Sequence, residues 1–252
     1  MKRRLFFIVF ILLFASGGVV RAGEKAATAK GPDLLSDDYT AEEKSSEVAS
    51  YDPLEPMNRV FFTINDKLYF WVVKPVKKGY AAVLPEGIRQ CFQNFFDNVS
   101  SPVSFVNNLF QGRFEDAGVV LSRFVINTTL GVYGFGDPAL VSFNLTPRPA
   151  DFGETLGVYG FGEGVYLFWP FLGPSNIRDT VGLTADVYAH PVTYLNWTLE
   201  QEGGYYIFSK INAQSLSPDV YEDVKKFSFD PYVAIRQAYF EHRQGKIEKQ
   251  KQ

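Results

Sequence analysis

Asp137, Asp151, Glu154, Glu163, Arg178 and Asp179 are charged groups set in otherwise apolar sequence, and they carry most of this chain's chemical potential. Carboxylates and a guanidinium in such surroundings have two uses. They pair with one another as fold-locking salt bridges and caps, or they meet charged lipid headgroups at a pore mouth. Both uses are open from residue type alone. Arg178 and Asp179 are adjacent, so on a helix they point apart and need separate partners. The rest of the reactive inventory is thin. His190 and His242 stand far apart, with no carboxylate or cysteine at ligand spacing, so no metal site is expected. No G-x-S-x-G elbow presents a serine nucleophile, and no G-x-x-x-x-G-K-S/T loop cradles a phosphate. These absences argue against an enzyme and imply no cofactor.

A second feature is a phrase used twice, Thr129-Leu-Gly-Val-Tyr-Gly-Phe-Gly-Asp137 and Thr155-Leu-Gly-Val-Tyr-Gly-Phe-Gly-Glu163, 26 residues apart. Neither copy holds a charge before its closing acid. What they offer is backbone freedom at Gly134 and Gly160 and broad rings at Tyr133, Phe135, Tyr159 and Phe161. That suits a surface touching lipid tails, or a tight structural corner used twice.

The elements that must position these groups are mostly helical. Val60, Phe61, Ile64, Leu68, Trp71 and Val72 recur at helical spacing and predict a helix from about Pro56 to Val73. Its polar residues form one narrow strip, so it needs apolar surroundings on most sides, from a protein core or a bilayer leaflet. Further helices are predicted over about 86–98, 101–110, 113–130, 175–188, 192–213, 217–226 and 231–244. From Val132 to Pro174 the helical period fails, and turns, short helices and a hairpin are expected. The fold class is mainly α with one irregular Gly/aromatic-rich centre.

Composition sharpens the puzzle. Of 252 residues, 16% are aromatic, yet nothing beyond the N-terminus approaches the roughly 20 consecutive apolar residues of a spanning helix. Met1-Lys-Arg-Arg, the apolar run Leu5–Phe14 and Val20-Arg-Ala22 predict a signal peptide over 1–22, cleaved before Gly23. Residues 23–50 carry seven acids and three lysines with almost no aromatics, and are expected to be a flexible polar linker. An ordered domain is expected over 51–244, with a charged tail over 245–252. Losing Lys2, Arg3, Arg4 and Arg21 moves the net charge from −3 to −7. No basic stripe is present, so nucleic acid is not an expected partner. The single Cys91, beside Phe92, Phe95 and Phe96, is expected to be a packed thiol.

Five separated blocks complete the sequence evidence: Asp52-Pro-Leu-Glu-Pro-Met-Asn-Arg59, Asn127-Thr-Thr-Leu-Gly131, Asp151-Phe-Gly-Glu-Thr-Leu-Gly157, Pro170-Phe-Leu-Gly-Pro-Ser-Asn-Ile-Arg-Asp179, and Asp230-Pro-Tyr232 with Arg236-Gln-Ala-Tyr-Phe240. In this order they resemble the MlaA (VacJ) family over nearly the whole predicted domain. The resemblance implies a ring of amphipathic helices lying in one leaflet of a Gram-negative outer membrane around a central channel. It implies that mislocalised outer-leaflet phospholipid passes through this channel to a periplasmic lipid-carrier protein. It also implies association with a trimeric outer-membrane porin. Many members carry a lipidated cysteine at the signal cleavage site, and this chain has none there.

These expectations make the protein a non-enzymatic phospholipid conduit on the periplasmic side of the outer membrane. The lining is expected within 131–177, from Gly134, Phe135, Asp151, Glu154, Tyr159, Gly160, Phe161 and Arg178. The alternative is a structural envelope scaffold associated with porins. A phospholipase lacks its nucleophile, and a small β-barrel is disfavoured by the charged Lys/Gln end of the chain.

Overall fold

The computed structural model describes residues 52–217 and 220–251, which belong to one compact unit. The expected signal peptide and linker lie outside the described residues. The elements run α1 (Glu55–Leu68), a π-helical turn (Tyr69–Val73), α2 (Lys74–Val83), α3 (Glu86–Phe110), α4 (Phe114–Thr129), α5 (Pro138–Val141) and α6 (Phe152–Val158). They continue with β1 (Tyr166–Trp169), β2 (Gly173–Asn176), α7 (Ile177–Ala189), a 3-10 turn (Pro191–Tyr194), α8 (Leu199–Leu216), α9 (Val220–Phe227) and α10 (Pro231–Lys251). The chain is mainly helical, as its periodicity predicts.

Three boundaries differ from expectation for identifiable reasons. Pro75 reads as a stop in sequence, yet it sits in the first turn of α2. The helix passes through it without a break, because the π-helical turn Tyr69–Val73 widens the backbone just ahead of the ring, with the Lys74 amide donating to the Tyr69 carbonyl. Pro102 reads as the start of a new helix but lies inside the continuous α3. Packing of α3 against α4 and α8 outweighs the one lost backbone bond. Finally, α10 runs to Lys251 instead of ending near Gln244. Its last turns are held down: Ile247 is buried, and Lys246 and Gln250 both reach Glu154 at 2.9 and 2.7 Å.

The hairpin in the irregular centre pairs Tyr166 with Asn176 and Trp169 with Gly173, antiparallel. Its free edge is closed by side chains of α1. Asn58 donates from Nδ2 to the Tyr166 carbonyl (3.1 Å) and accepts at Oδ1 from the Phe168 amide (2.9 Å). Asn65 does the same for the Trp169 carbonyl (2.8 Å) and the Phe171 amide (2.7 Å). Seven residues of helix advance about 10.5 Å and three residues of strand about 10 Å, so the two asparagines match successive strand positions. Tyr166 and Phe168 turn inward to form the apolar core with Tyr232 and Phe240 of α10. Phe62 meets Phe168 edge-on at 5.6 Å.

Around this small core the polarity is inverted. Among the described residues, more polar and charged side chains than apolar ones are buried. Asn58, Asn107, Asn108, Asn127, Asn176 and Asn212 are all inside, most of them hydrogen-bonded to backbone. The outer faces carry Trp71 (74% exposed), Phe114 (72%), Val141 (85%) and Phe229, fully exposed. No helix among the described residues is long and apolar enough to cross a membrane. Cys91, expected to be packed, is exposed on α3.

Candidate functional site

Asp151, Glu154 and Arg178 gather in one place. Asp151 caps α6, accepting from the Glu154 amide at 2.8 Å, while Glu154 reaches back to the Asp151 amide at 3.3 Å. Such a reciprocal box satisfies two donors that a helix start leaves free. Asn176 caps α7 in the same manner through the Asp179 amide (2.7 Å). Arg243 of α10 then ties both helix starts together. It grips Asp151 through two bonds of 2.6 and 2.9 Å, Asp179 at 3.0 Å and Glu154 at 3.2 Å. Burial alone would raise the Asp151 and Asp179 carboxyls. The Arg243 guanidinium overrides it and holds both below the ordinary carboxylate range. Arg178 reaches the Phe161 carbonyl from Nη1 at 3.5 Å. It also turns onto its neighbour Asp179 (Nε to Oδ1, 3.0 Å), and its buried Nη2 stays unsatisfied.

The approach of α6 to α7 and to α10 depends on missing side chains. A Cβ on Gly182 would lie 2.3 Å from the Gly153 nitrogen, and one on Gly157 would lie 2.4 Å from Ile247 Cδ1. Glu154 is shut off from solvent altogether. In this arrangement Asp151, Glu154 and Asp179 fasten three helices through Arg243, the first of the two uses their types allowed, and Arg178 braces Asp179.

The repeated phrase takes two different shapes. In the first copy Val132, Tyr133 and Gly134 are left-handed in succession (φ 53, 58 and 90°), folding the chain back after α4. The Gly134 amide donates to the Asn127 carbonyl (2.8 Å), and a Cβ there would lie 2.6 Å from Asn98. Phe135 stacks on Phe95 at 4.9 Å. The closing Asp137 caps α5 and pairs with Arg123 at 2.8 Å. The second copy begins inside α6 and turns at Gly160 (φ 86°), where a Cβ would meet nothing. Tyr159 donates its hydroxyl to the Phe110 carbonyl. Both copies are helix-ending corners, and both leave rings in the open: Tyr133, Phe135, Tyr159 and Phe161 are exposed.

Two cavities complete the picture. One, of about 470 Å³, is apolar and lies beside the first copy, lined by Cys91, Val132, Phe135, Pro138 and Val141 among others. The other, of about 270 Å³, lies between α3, α7 and α8; its wall is mixed, with Val103, Ala150, Leu183 and Val187 beside Ser100, Asp186, His190, Tyr205, Tyr206 and Ser209. Of these only His190 attracted notice in sequence, and as a poor zinc ligand. The one signal for the rest is Asp186, a carboxylate inside the apolar stretch of α7.

A helical domain that buries amides and charges while presenting aromatic and aliphatic faces outward defines a class of protein fitted to apolar surroundings. The comparisons narrow this class. The chain belongs to the MlaA lipoprotein family, whose family model matches residues 50–246. It is 33% identical over 193 residues to a protein of Escherichia coli (strain K12), covering 75% of this chain and 76% of that one. That protein is named intermembrane phospholipid transport system lipoprotein MlaA. The protein of the same name from Haemophilus influenzae is 31% identical over 202 residues, 78% of this chain and 79% of that one. An uncharacterised protein of Rickettsia felis is 33% identical over 199 residues, 79% of this chain and 78% of that one. A solved chain from work described as "Structural basis for maintenance of bacterial outer membrane lipid asymmetry" superposes with a TM-score of 0.70 at 31% identity. The match covers 78% of this chain and 99% of that one.

Proposed function

We propose that this protein is a non-enzymatic phospholipid conduit that helps maintain outer-membrane lipid asymmetry. Mislocalised phospholipid leaves the outer leaflet through a channel ringed by helices that lie in the inner leaflet, and passes to a periplasmic lipid-carrier protein. The observation that carries this reading is the inverted polarity. The exposed apolar faces sit among acyl chains, while the amides and charges are kept inside the domain. The names of the Escherichia coli and Haemophilus influenzae relatives support it. A trimeric porin is the proposed membrane companion, and the periplasmic side of the outer membrane the proposed location.

Within this reading Phe135, Tyr159, Gly160 and Phe161 are the lipid-facing candidates, while Gly134, expected to line the conduit, is buried against Asn98 and shapes the corner instead. Their rings are exposed and their corners border the apolar surface. Asp151 and Glu154 contribute by holding α6 to α10 through Arg243, and Arg178 by bracing Asp179 at the start of α7. The test is the phospholipid content of the outer cell surface, read by headgroup-selective labelling of intact cells. Deletion of the gene is expected to raise it and the wild-type chain to restore it. An unchanged surface on deletion would leave the scaffold role instead.

A further inference from the structure

Asp186 projects from α7 into the 270 Å³ cavity, and no cation pairs with it among the described residues. Its oxygens accept only from Asn107 Nδ2 (3.0 Å) and the Phe152 amide (3.0 and 3.2 Å). A half-buried carboxylate without a countercharge is costly, and a ligand ammonium would relieve it. Across the cavity stand neutral hydrogen-bonding groups. His190 accepts the Val192 amide at Nδ1 (3.3 Å), which places the ring proton on Nε2, facing Ser100 Oγ at 3.2 Å. The Ser100 hydroxyl proton is thereby left to donate elsewhere. The Tyr206 hydroxyl oxygen is itself shut off from the cavity, next to Thr193, so Tyr206 lines the wall through its ring. Ser209 lies on the same face of α8, one turn from Tyr205 and Tyr206. Lys210 follows it, desolvated and with no carboxylate acting on it.

We propose that this cavity is a headgroup station selective for an amine-bearing zwitterionic phospholipid, the ethanolamine type, with Asp186 taking the ammonium and the Ser100 hydroxyl taking the phosphate. The inference rests on the conduit reading and adds to it the lipid class. About 270 Å³ equals roughly nine waters' share of liquid volume, room for one small headgroup but not for acyl chains as well. A glycerol headgroup offers Asp186 no positive charge and leaves the net negative phosphate facing a carboxylate. An ethanolamine headgroup pairs both ends.

The test is native mass spectrometry of the full-length protein. It is equilibrated with equal amounts of phosphatidylethanolamine and phosphatidylglycerol of identical acyl chains. The wild type is expected to retain the ethanolamine lipid about tenfold over the glycerol lipid, the scale of one charge-assisted hydrogen bond discounted for water access. Asp186→Asn keeps acceptors for Asn107 and Phe152, so it is expected to fold, to retain total lipid and to lose the preference. Ser100→Ala is expected to lower retention of both lipids with the ratio unchanged. Free phosphoethanolamine is included as a competitor and is expected not to displace lipid at matched concentration. Equal retention of the two lipids by the wild type, or an unchanged preference in Asp186→Asn, overturns the station while leaving the conduit standing. Displacement by free phosphoethanolamine reassigns the cavity to a soluble ligand. A wild type that retains no phospholipid overturns the conduit reading together with it.

Discussion

Arg243 meets Asp151 in a two-pronged fork, Nη1 to Oδ2 at 2.6 Å and Nη2 to Oδ1 at 2.9 Å, joining the C-terminal helix to the cap of α6 from 92 residues away. The same guanidinium serves Asp179, so its loss strands more than one carboxylate. Glu154 and Asp179 are almost fully buried, and only Asp151 has substantial access to water. Arg243→Met is therefore expected to destabilise the domain by about 3–5 kcal/mol, the range for breaking a buried pair from one side. Arg243→Lys recovers part of the charge but not the planar fork and is expected to fall between. Chemical unfolding of the detergent-solubilised variants checks both.

Asn58 and Asn65 act as a substitute third strand for β1, and each closes one donor and one acceptor. Asn58 is fully buried. Asn58→Leu has nearly the same volume but leaves the Phe168 amide and one bond of the Tyr166 carbonyl unmet. The expected loss is about 2–4 kcal/mol, with hydrogen exchange at Phe168 rising before global unfolding. Asn65→Leu, nearer the exposed turn, is expected to cost less because water replaces what the side chain gave. Equal losses at the two positions would show that burial does not set the difference.

Much of this arrangement is legible in the chain and some is not. The helices show because their apolar positions recur every three to four residues, even though the faces they mark are partly external. Periodicity reports amphipathicity and is silent on which face points in. Val60 and Ile64 obey the pattern and are exposed, whereas Asn58 and Asn65 stand on the side turned to the hairpin. The charge cluster was half visible: Asp151, Glu154 and Arg178 stood out against apolar neighbours. Arg243 did not, because it sits in a basic, polar stretch where a surface role is the ordinary one. Asp186 and Tyr206 meet only through the packing of α7 beside α3 and α8, and no local spacing encodes that.

Stability against pH follows from carboxylates shifted in opposite senses. Asp137, Asp151 and Asp179 are held below their ordinary range, so their contribution is full above the unfolded value near 4 and is lost as pH falls through the folded one. Asp186 is pushed by burial up to about 6. Its ionised form is a cost that is complete above pH 6 and is relieved as pH drops from 6 toward 4. Asp186→Asn is expected to stabilise the protein by about 1–2 kcal/mol at pH 7.5, discounted for water access, and by nothing at pH 4. Melting curves at the two pH values measure this. A stabilisation that is the same at both would mean that charge is not the cause.

Gly134 and Gly160 hold the same place in the repeated phrase, and the structure separates their consequences. At Gly134 a side chain meets Asn98 at 2.6 Å and must also adopt φ 90°. Gly134→Phe is expected to cost several kcal/mol, since clash and left-handed strain add, and any loss of lipid movement would follow from damage to the corner. At Gly160 the space is open, so Gly160→Phe carries only the strain of φ 86°, about 1–2 kcal/mol. That variant is expected to reach the membrane folded, with a melting temperature within a few degrees of wild type. Its added ring would stand between the exposed Tyr159 and Phe161. If this corner borders the lipid path, Gly160→Phe fails to restore surface phospholipid to wild-type levels in the deletion strain, whereas Gly160→Ala, with equal strain and little bulk, restores it. Equal restoration by both moves the path away from the second repeat. Equal failure assigns the loss to the backbone turn.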